Sequence, residues 1–248
     1  MTDWPTVEAG PLVLPATDER TRELWDVLLE LSGHRRGQWT LIGGQMVLLH
    51  ALEHGETPPR VSADLDVLVN ARVLSGGTQD FVAELNQIGF ELAGASPMGI
   101  AHRYTRGGVS VDVLAPEGMG ARSDLTTSPP HRTVAVPGGT QALQRTEWVR
   151  VNTASKTGVV PRPSLLGAVI TKAEAVDVGD VPEAQLQDLA FLLSLIDDPL
   201  GLKGELTKED RRRLRRRDEL TDESHGVWDS LPTELAAAAR ATYRLLAA

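Results

Sequence analysis

Three aspartates alternate with apolar residues on two predicted strands. Asp64 and Asp66 are separated by one residue in the predicted strand 64–69, and Asp112 lies in the predicted strand 109–114. Because side chains alternate across a strand, Asp64 and Asp66 point to the same face. Neither has a basic neighbour in the sequence, and an apolar core does not hold unpaired carboxylates. Hard oxygen ligands suit Mg²⁺, so the pattern predicts a site for Mg²⁺, with Mn²⁺ as the alternative metal. A plain surface strand is the other interpretation.

Two glycines stand where a short apolar run meets a predicted helix. Gly43 and Gly44 follow the predicted strand 39–42 and precede the predicted helix 45–54. A strand that ends in glycines and opens a helix offers backbone N–H groups and the positive end of the helix dipole to an anion. Glycine also lets a phosphate come close to the backbone. The pair predicts phosphate contact, and an ordinary strand-to-helix turn is the alternative.

A lysine and an aspartate lie on consecutive predicted helices, 164–177 and 183–197. Lys172 sits in an apolar stretch of a chain that otherwise prefers arginine. A compact ammonium group there would neutralise a triphosphate, whereas the alternative is a boundary residue that keeps its charge in water. Asp188 either orients Lys172 or is an exposed helical carboxylate.

These pieces together resemble a known superfamily. The segments 41–44, 60–67 and 111–113 are similar to motifs of the polymerase-β-like nucleotidyltransferases. The Arg-x-Ser-x-Asp-Leu-Asp spacing is similar to that of AbiEii-type nucleotidyltransferase toxins of bacterial toxin–antitoxin and phage-defence systems. Lys172 and Asp188 occupy the places of the later motifs in the same order.

The resemblance implies a Mg²⁺-dependent enzyme that transfers a nucleoside monophosphate from an NTP to a hydroxyl, with a tRNA 3′ end as acceptor and a cognate antitoxin as partner. It assigns catalysis and the metal to the three aspartates and adds two further catalytic residues, Lys172 and Asp188. It assigns nucleotide contacts to Gly43, Gly44, Arg60, Ser62 and Lys172. The alternatives are a nucleotidyltransferase that modifies small molecules of the antibiotic type, and a catalytically silent relative that binds nucleotide or a partner protein.

A second enzyme pattern overlaps the helix that follows the glycines. The segment from His50 to His54 matches the His-x-x-Glu-His pattern of some zinc peptidases, and histidines four apart share a helix face. Gly55 follows at once and ends the helix, and this pattern leaves the three aspartates unexplained. A zinc site is therefore the rival interpretation.

Six arginines lie between 211 and 217, on a predicted helix 207–220 that Thr207 can cap. They surround the helix, and no aromatic residues are interleaved for base stacking. One interpretation is a solvated helix with ion pairs between residues four apart. The other is a surface that binds an RNA backbone, through Arg212, Arg213, Arg216 and Arg217.

Composition limits the remaining classes. The 248 residues carry a formal net charge of -9, which disfavours a protein that coats duplex DNA. There is no cysteine, so a disulfide scaffold and thiolate zinc ligands are excluded. No apolar run approaches the roughly 20 residues that span a bilayer, and the first residues do not resemble a signal peptide. We expect a cytoplasmic protein without a membrane partner.

The predicted elements that must position these residues run helix (18–31), strand, helix, strand, helix and hairpin. A stretch rich in Pro, Gly, Ser and Thr follows over 115–162, with short strand-like pieces at 133–136 and 148–152, and helices follow from 164. The hairpin is predicted because paired glycines, Gly107 and Gly108, separate two alternating strands. This order predicts an α/β (α+β) class: a mixed-sheet nucleotidyltransferase core followed by a C-terminal helical bundle. We place the catalytic domain at 1–160 and the helical domain at 161–248.

The aspartate assignment predicts a binding phenotype. Isothermal titration should show Mg²⁺-dependent NTP binding that is weaker in Asp64→Asn and in Asp66→Asn. Both variants should keep the thermal stability of the parent or exceed it, because each removes mutual repulsion. Parent-like binding of Mg-NTP in both variants would show that the assignment is wrong.

Overall fold

The computed structural model describes residues 4–15, 18–34, 37–71, 76–119 and 124–248. Its strands are β1 Leu12–Val13, β2 Trp39–Ile42, β3 Asp64–Val69, β4 Glu91–Leu92, β5 Arg103–Arg106, β6 Val109–Pro116, β7 Ala135–Val136, β8 Thr146–Asn152 and β9 Thr157–Pro163. Its α-helices are α1 Glu19–His34, α2 Gly43–Glu53, α3 Gly77–Gln87, α4 Gly139–Gln144, α5 Leu165–Ala175, α6 Pro182–Ser194, α7 Pro199–Glu205, α8 Lys208–Arg215 and α9 Thr233–Ala247.

The main sheet is mixed. Its strands lie in the order β2-β3-β6-β5-β4, and β7 extends it by pairing with the end of β6. β3 and β6 run parallel, whereas β2 against β3 and β5 against β6 are antiparallel. A smaller sheet has the order β1-β8-β9. The predicted α+β class, with a mixed sheet followed by helices α5 to α9, is confirmed.

The two faces of the main sheet have different partners. Leu65, Val67, Val111 and Val113 are fully buried in one core cluster together with residues of α1 and α3. The alternate positions of β3 and β6 carry the aspartates on the opposite face. The period of two predicted from the sequence therefore holds, and it fixes which face is polar.

The second core cluster lies on the aspartate side of the sheet. It joins Met46 of α2 to Ala168 of α5, Leu189 of α6 and Tyr243 of α9. Position 160, where we place the domain division, lies inside β9, and the division into 1–160 and 161–248 stays a prediction. In the described ranges, no helix is long and apolar enough to cross a membrane.

β9 is absent from the sequence interpretation because it contains Pro161 and Pro163. Proline cannot donate to a β-ladder, which argues against a strand. β9 pairs only with β8 and forms an edge of the smaller sheet, where missing donors are tolerated.

The predicted helix 207–220 is too long. α8 ends at Arg215, and the chain continues as a 3₁₀ turn at Asp218–Thr221. The N–H groups of Arg216 and Arg217 bond to carbonyls three residues earlier, which tightens the last turn. The predicted cap is correct, because the Thr207 side chain accepts a hydrogen bond from the Asp210 N–H.

The arginines assigned to RNA binding contact carboxylates of the same chain. Arg212 pairs with Glu209 on its own helix. Arg213 contacts Glu117 and Glu174, each at 3.4 Å, and its side chain is only 13% exposed. The Arg213 contacts with Glu117 and Glu174 reach across the fold, whereas the Arg212–Glu209 pair is an exposed pair of the kind expected from a solvated helix.

The last two arginines of the run pair with the same region. Arg216 forms ion pairs with Glu174 and Asp177, and the buried Arg217 donates to Asp177 at 2.6 Å. RNA binding by Arg212, Arg213, Arg216 and Arg217 therefore stays a prediction, and all four side chains already pair with carboxylates of the chain. Most of this positive charge is paired with Glu174 on α5, Asp177 just after α5 and Glu117 in the loop after β6.

This arrangement predicts a stability difference between two arginines of one helix. Arg213→Gln leaves Glu174, which is nearly buried, with fewer partners, so we expect a loss of about 1–3 kcal/mol. Arg212→Gln, the matched control, removes an exposed pair and should change the free energy of unfolding by less than about 0.5 kcal/mol. Chemical denaturation of both variants measures the difference. Equal stabilities would contradict a structural role for Arg213.

Candidate functional site

A row of three charged residues crosses the centre of the main sheet. Asp66 of β3 lies opposite Asp112 of β6, and Asp112 lies opposite Arg103 of β5. Residues that are directly opposite on neighbouring strands project from the same face, so two acids and one base lie side by side. Ile42, the last residue of β2, lies opposite Asp66 and completes the row.

A cleft with a volume of about 420 Å³ opens above this row. Part of its lining is apolar and includes Ile42, Leu114, Val136 and Pro137. The cleft brings together most of the residues predicted from the sequence: Gly43, Gly44, Arg60, Ser62, Asp66, Asp112 and Lys172. These seven residues, which are spread along the chain from position 43 to position 172, therefore border one cleft, as the resemblance requires.

Arg103 changes the picture of bare carboxylates. Its guanidinium group donates to both oxygens of Asp112, from Nε to Oδ1 at 2.8 Å and from Nη2 to Oδ2 at 2.7 Å. It also lies 3.9 Å from Asp64, and Arg20 of α1 approaches Asp64 at the same distance. The aspartates are therefore not bare carboxylates, because two guanidinium groups already share this charge, and the Mg²⁺ site stays a prediction.

Arg103 is absent from the residues predicted from the sequence, although the sequence contains a signal for it. A two-residue turn at Gly107 and Gly108 pairs residues that are equidistant from it, so it places Arg106 opposite Val109 and Arg103 opposite Asp112. Counting outwards from the predicted turn is enough to place this base beside the acid.

The environment of Asp66 disfavours its charged form. Withdrawal from water raises the pKa of Asp66 to about 7, and the neighbouring Asp112 carboxylate acts in the same direction. The Lys172 ammonium opposes this shift but does not cancel it. Asp64, two residues earlier on β3, lies opposite Ser110 and is directed towards Arg20 and Arg103.

Arg103 experiences the opposite effect. Its hydrogen bonds to Asp112, together with the attraction of that carboxylate, raise the pKa of the guanidinium group. Arg103 therefore stays charged near neutral pH, whereas the raised pKa of Asp66 brings the titration of that carboxyl into the neutral range.

Lys172 and Asp188 form a buried ion pair between α5 and α6. The Lys172 ammonium lies 2.7 Å from Asp188 and donates to the Gln185 side chain at 2.8 Å. Arg60 pairs with the same carboxylate from the loop before β3. Lys172 and Asp188 are 3% and 1% exposed, so the alternatives of a lysine that reaches into water and an exposed helical carboxylate are both wrong. One carboxylate faces two cations, which leaves a net positive charge beside the cleft.

The glycines at the start of α2 are needed for close packing. Gly43 has a positive φ of 72°, and a Cβ there would overlap the Asp66 side chain. A Cβ at Gly44 would lie 2.5 Å from Cβ of Ser62. The strand-to-helix turn therefore brings Asp66 and Ser62 against the helix N-terminus, which lies at the edge of the cleft. The next residue, Gln45, holds the same loop, because its side chain donates to the Ser62 carbonyl at 2.5 Å.

The structure does not support a zinc site at His50 and His54. His50 is buried, and its Nε2 atom lies 3.0 Å from Nη1 of Arg162 and 3.1 Å from the Pro163 carbonyl. Burial lowers the pKa of His50, and the Arg162 charge acts in the same direction. His54 instead uses its Nδ1 atom on the His50 carbonyl. A fixed guanidinium group occupies the place where a metal would have to bind.

The aspartates are suitable donors for Mg²⁺ in type and direction. Asp66 and Asp112 offer hard oxygens from one face of the sheet into the cleft. Burial and, after it, the neighbouring Asp112 carboxylate raise the pKa of Asp66, and a cation would relieve the repulsion between the two carboxylates. Among the described residues, no three acidic or histidine side chains are gathered closely enough to form a preassembled metal site. The residues fit the ion, but their present arrangement leaves Asp112 bound to Arg103.

Comparison with known proteins gives a structural likeness. No protein-family model matches the chain, and no curated protein matches it. Among solved structures, the chain is similar to an antigenic nucleotidyltransferase-like protein from Paracoccidioides brasiliensis. The two share 15% sequence identity with a TM-score of 0.48, over 81% of this chain and 91% of that one.

The environment of Asp66 predicts how stability depends on pH. Because its folded pKa is raised from 3.8 to about 7, the native state binds the proton more tightly, and this stabilisation is lost as pH rises towards 7. The Asp66→Asn variant has no carboxyl group to titrate at this position, so its stability does not change with pH for this reason. The Tm advantage of this variant over the parent should therefore grow between pH 5 and pH 7 and stay level above, at roughly 2–4 °C for each kcal/mol in a chain of this size.

Thermal melts in chelator from pH 5 to pH 8 test this expectation. Asp222→Asn is the control, because hydrogen bonds from Ser224 lower the pKa of Asp222 and move its titration below this range. Its difference from the parent should be constant. A flat difference for Asp66→Asn would contradict the proposed environment of Asp66.

Proposed function

We propose that the chain is a nucleotidyltransferase that moves a nucleoside monophosphate from an NTP to a hydroxyl acceptor. The observation that carries the proposal is the single cleft, in which an acidic pair from the sheet faces a cationic pair, Lys172 and Arg60, beside the N-terminus of α2. Transfer of a nucleotide needs both charges. The two carboxylates would hold metal cations and accept the hydroxyl proton, and the cationic pair would hold the phosphates.

The cationic side would bind the triphosphate. Lys172 and Arg60 share the single charge of Asp188, so part of their charge remains for phosphate oxygens. Asp188 is best described as a positioning residue, because it is buried behind both cations. The N–H groups at Gly43 and Gly44 and the hydroxyl of Ser62 border the same space.

The acidic side would hold Mg²⁺ through Asp66 and Asp112, with Asp64 next to them. When bound, the ion would neutralise phosphate charge that builds up during displacement. Asp112 is the proposed acceptor of the hydroxyl proton. Both of its oxygens accept hydrogen bonds from Arg103, which therefore competes with the hydroxyl for these oxygens.

The acceptor is the finer part of the proposal. The resemblance implies a tRNA 3′ end, and with it toxicity and a cognate antitoxin. A small-molecule hydroxyl is the second candidate, because the arginines of segment 211–217 that would hold an RNA backbone, Arg213, Arg216 and Arg217 among them, are already paired within the chain. A cleft of about 420 Å³ whose lining is partly apolar also suits a small ligand.

A catalytically silent relative is supported by one specific observation. Arg103 holds Asp112 as an ion pair, and a protein that only binds nucleotide has no need to release it. Nucleotide binding without transfer would distinguish this case from an enzyme.

Release of pyrophosphate tests the proposal whichever acceptor the protein uses. The parent, Mg²⁺ and each NTP are incubated with total tRNA or with a panel of small polyhydroxyl compounds. Lys172→Met should lower kcat/KM by roughly 100-fold, the scale expected when a preorganised charge is lost. Lys156→Met is the control, because that lysine forms an exposed ion pair with Asp26 outside the cleft.

The outcomes separate the alternatives. Release that depends on RNA supports the tRNA acceptor, and release that depends on a polyol supports the small-molecule acceptor. Binding of NTP with no release under any condition supports the silent relative. If the parent neither binds NTP nor releases pyrophosphate, the proposed function is wrong.

A further inference from the structure

The acidic row contains its own cation. Arg103 makes a bidentate contact with Asp112 and lies 3.9 Å from Asp64, so one guanidinium group interacts with two of the three carboxylates. Paired hydrogen bonds of this kind between arginine and a carboxylate are strong and directional. A divalent cation at Asp112 would need at least one oxygen that Arg103 now uses.

Most of the negative charge of the three aspartates is balanced without a metal. Asp64, Asp66 and Asp112 contribute three carboxyl groups, and Arg20 and Arg103 contribute two cations. The cluster therefore carries at most one unit of uncompensated negative charge. Its attraction for a free divalent cation is weaker than three carboxylates would suggest.

Arg103 is the exposed partner of this ion pair, and Asp112 is the buried one. The Arg103 side chain is 49% exposed on β5, but that of Asp112 is only 10% exposed within the central strand β6. A half-exposed guanidinium group can exchange one anionic partner for another at low cost, since water screens the intermediate positions. The phosphates of a nucleotide in the cleft would be such a partner.

We propose that Arg103 is an internal competitor for the divalent cation: it occupies Asp112 in the empty protein and releases it when a nucleotide offers its phosphates. The proposal rests on the metal site of the proposed function. It makes metal loading and nucleotide binding mutually reinforcing, because each favours the state in which Arg103 has left Asp112. Such coupling is reciprocal.

Binding of Mn²⁺ alone tests the competition, with no nucleotide and no activity measurement. The full-length chain is titrated with Mn²⁺ at pH 7.5, and free Mn²⁺ is followed by electron paramagnetic resonance. Arg103→Gln should bind Mn²⁺ at least about tenfold more tightly than the parent, which corresponds to about 1.4 kcal/mol. Arg103→Lys keeps the charge but loses the paired hydrogen bonds, so its affinity should lie between the two.

Two control variants separate direct competition from a general loss of positive charge. Arg20→Gln removes the cation beside Asp64 but leaves the contact at Asp112, so it should strengthen Mn²⁺ binding much less than Arg103→Gln. Arg22→Gln removes an exposed arginine paired with Glu19 and should not change the affinity. Circular dichroism verifies that each variant is folded, and Arg103→Lys carries the test if Arg103→Gln is not.

The results distinguish this inference from the proposed function. If the parent and the folded Arg103 variants bind Mn²⁺ equally, and Asp66→Asn abolishes that binding, the competition is overturned and the metal site stands. Equal strengthening by Arg20→Gln and Arg103→Gln also overturns it, because the effect is then general electrostatics. If neither the parent nor any Arg103 variant binds Mn²⁺ at millimolar concentration, both the competition and the metal assignment fail.

Discussion

The register between β3, β6 and β5 is the constraint on which the candidate site depends. It places Asp66, Asp112 and Arg103 in one row, and it does so because the alternate residues of the same strands are buried against α1 and α3. A slip of one residue would move Val67 or Val113 out of that core and into the cleft. Burial on one face thus holds the chemistry of the other face in place.

Charge around the cleft is shared between several partners. Asp188 serves Lys172 and Arg60, while Arg103 serves Asp112 and Asp64. Each arrangement leaves one partner incompletely satisfied, and both border the same cleft. A triphosphate and its metal would supply the missing charge of each sign, so binding would exchange contacts within the protein for contacts with the ligand.

The helical layer shows how composition can mislead. Six arginines within seven residues suggest a surface for polyanions, but α8 packs beside Glu174, Asp177 and Glu117. The pairs Arg217–Asp177, Arg216–Glu174 and Arg213–Glu117 span 40, 42 and 96 positions of the chain. The number of charges in a segment therefore says little about its free potential until its packing neighbours are known.

Local patterns in the sequence are sufficient to predict the main elements and the polar face. Strict alternation around the three aspartates, the paired glycines before α2 and the apolar helices around Lys172 and Asp188 all follow from local sterics and burial. The hairpin turn even contains the register of Arg103.

Which charged groups meet depends on the packing of the layers. The structure joins Arg60 with Asp188, Arg20 with Asp64, Arg162 with His50, and Arg216 with Glu174. Along the chain, the separations in this set run from 42 positions for Arg216 and Glu174 to 128 for Arg60 and Asp188. Pairing over such distances follows from how helices and sheets stack in three dimensions, and a single sequence carries no local signal for it.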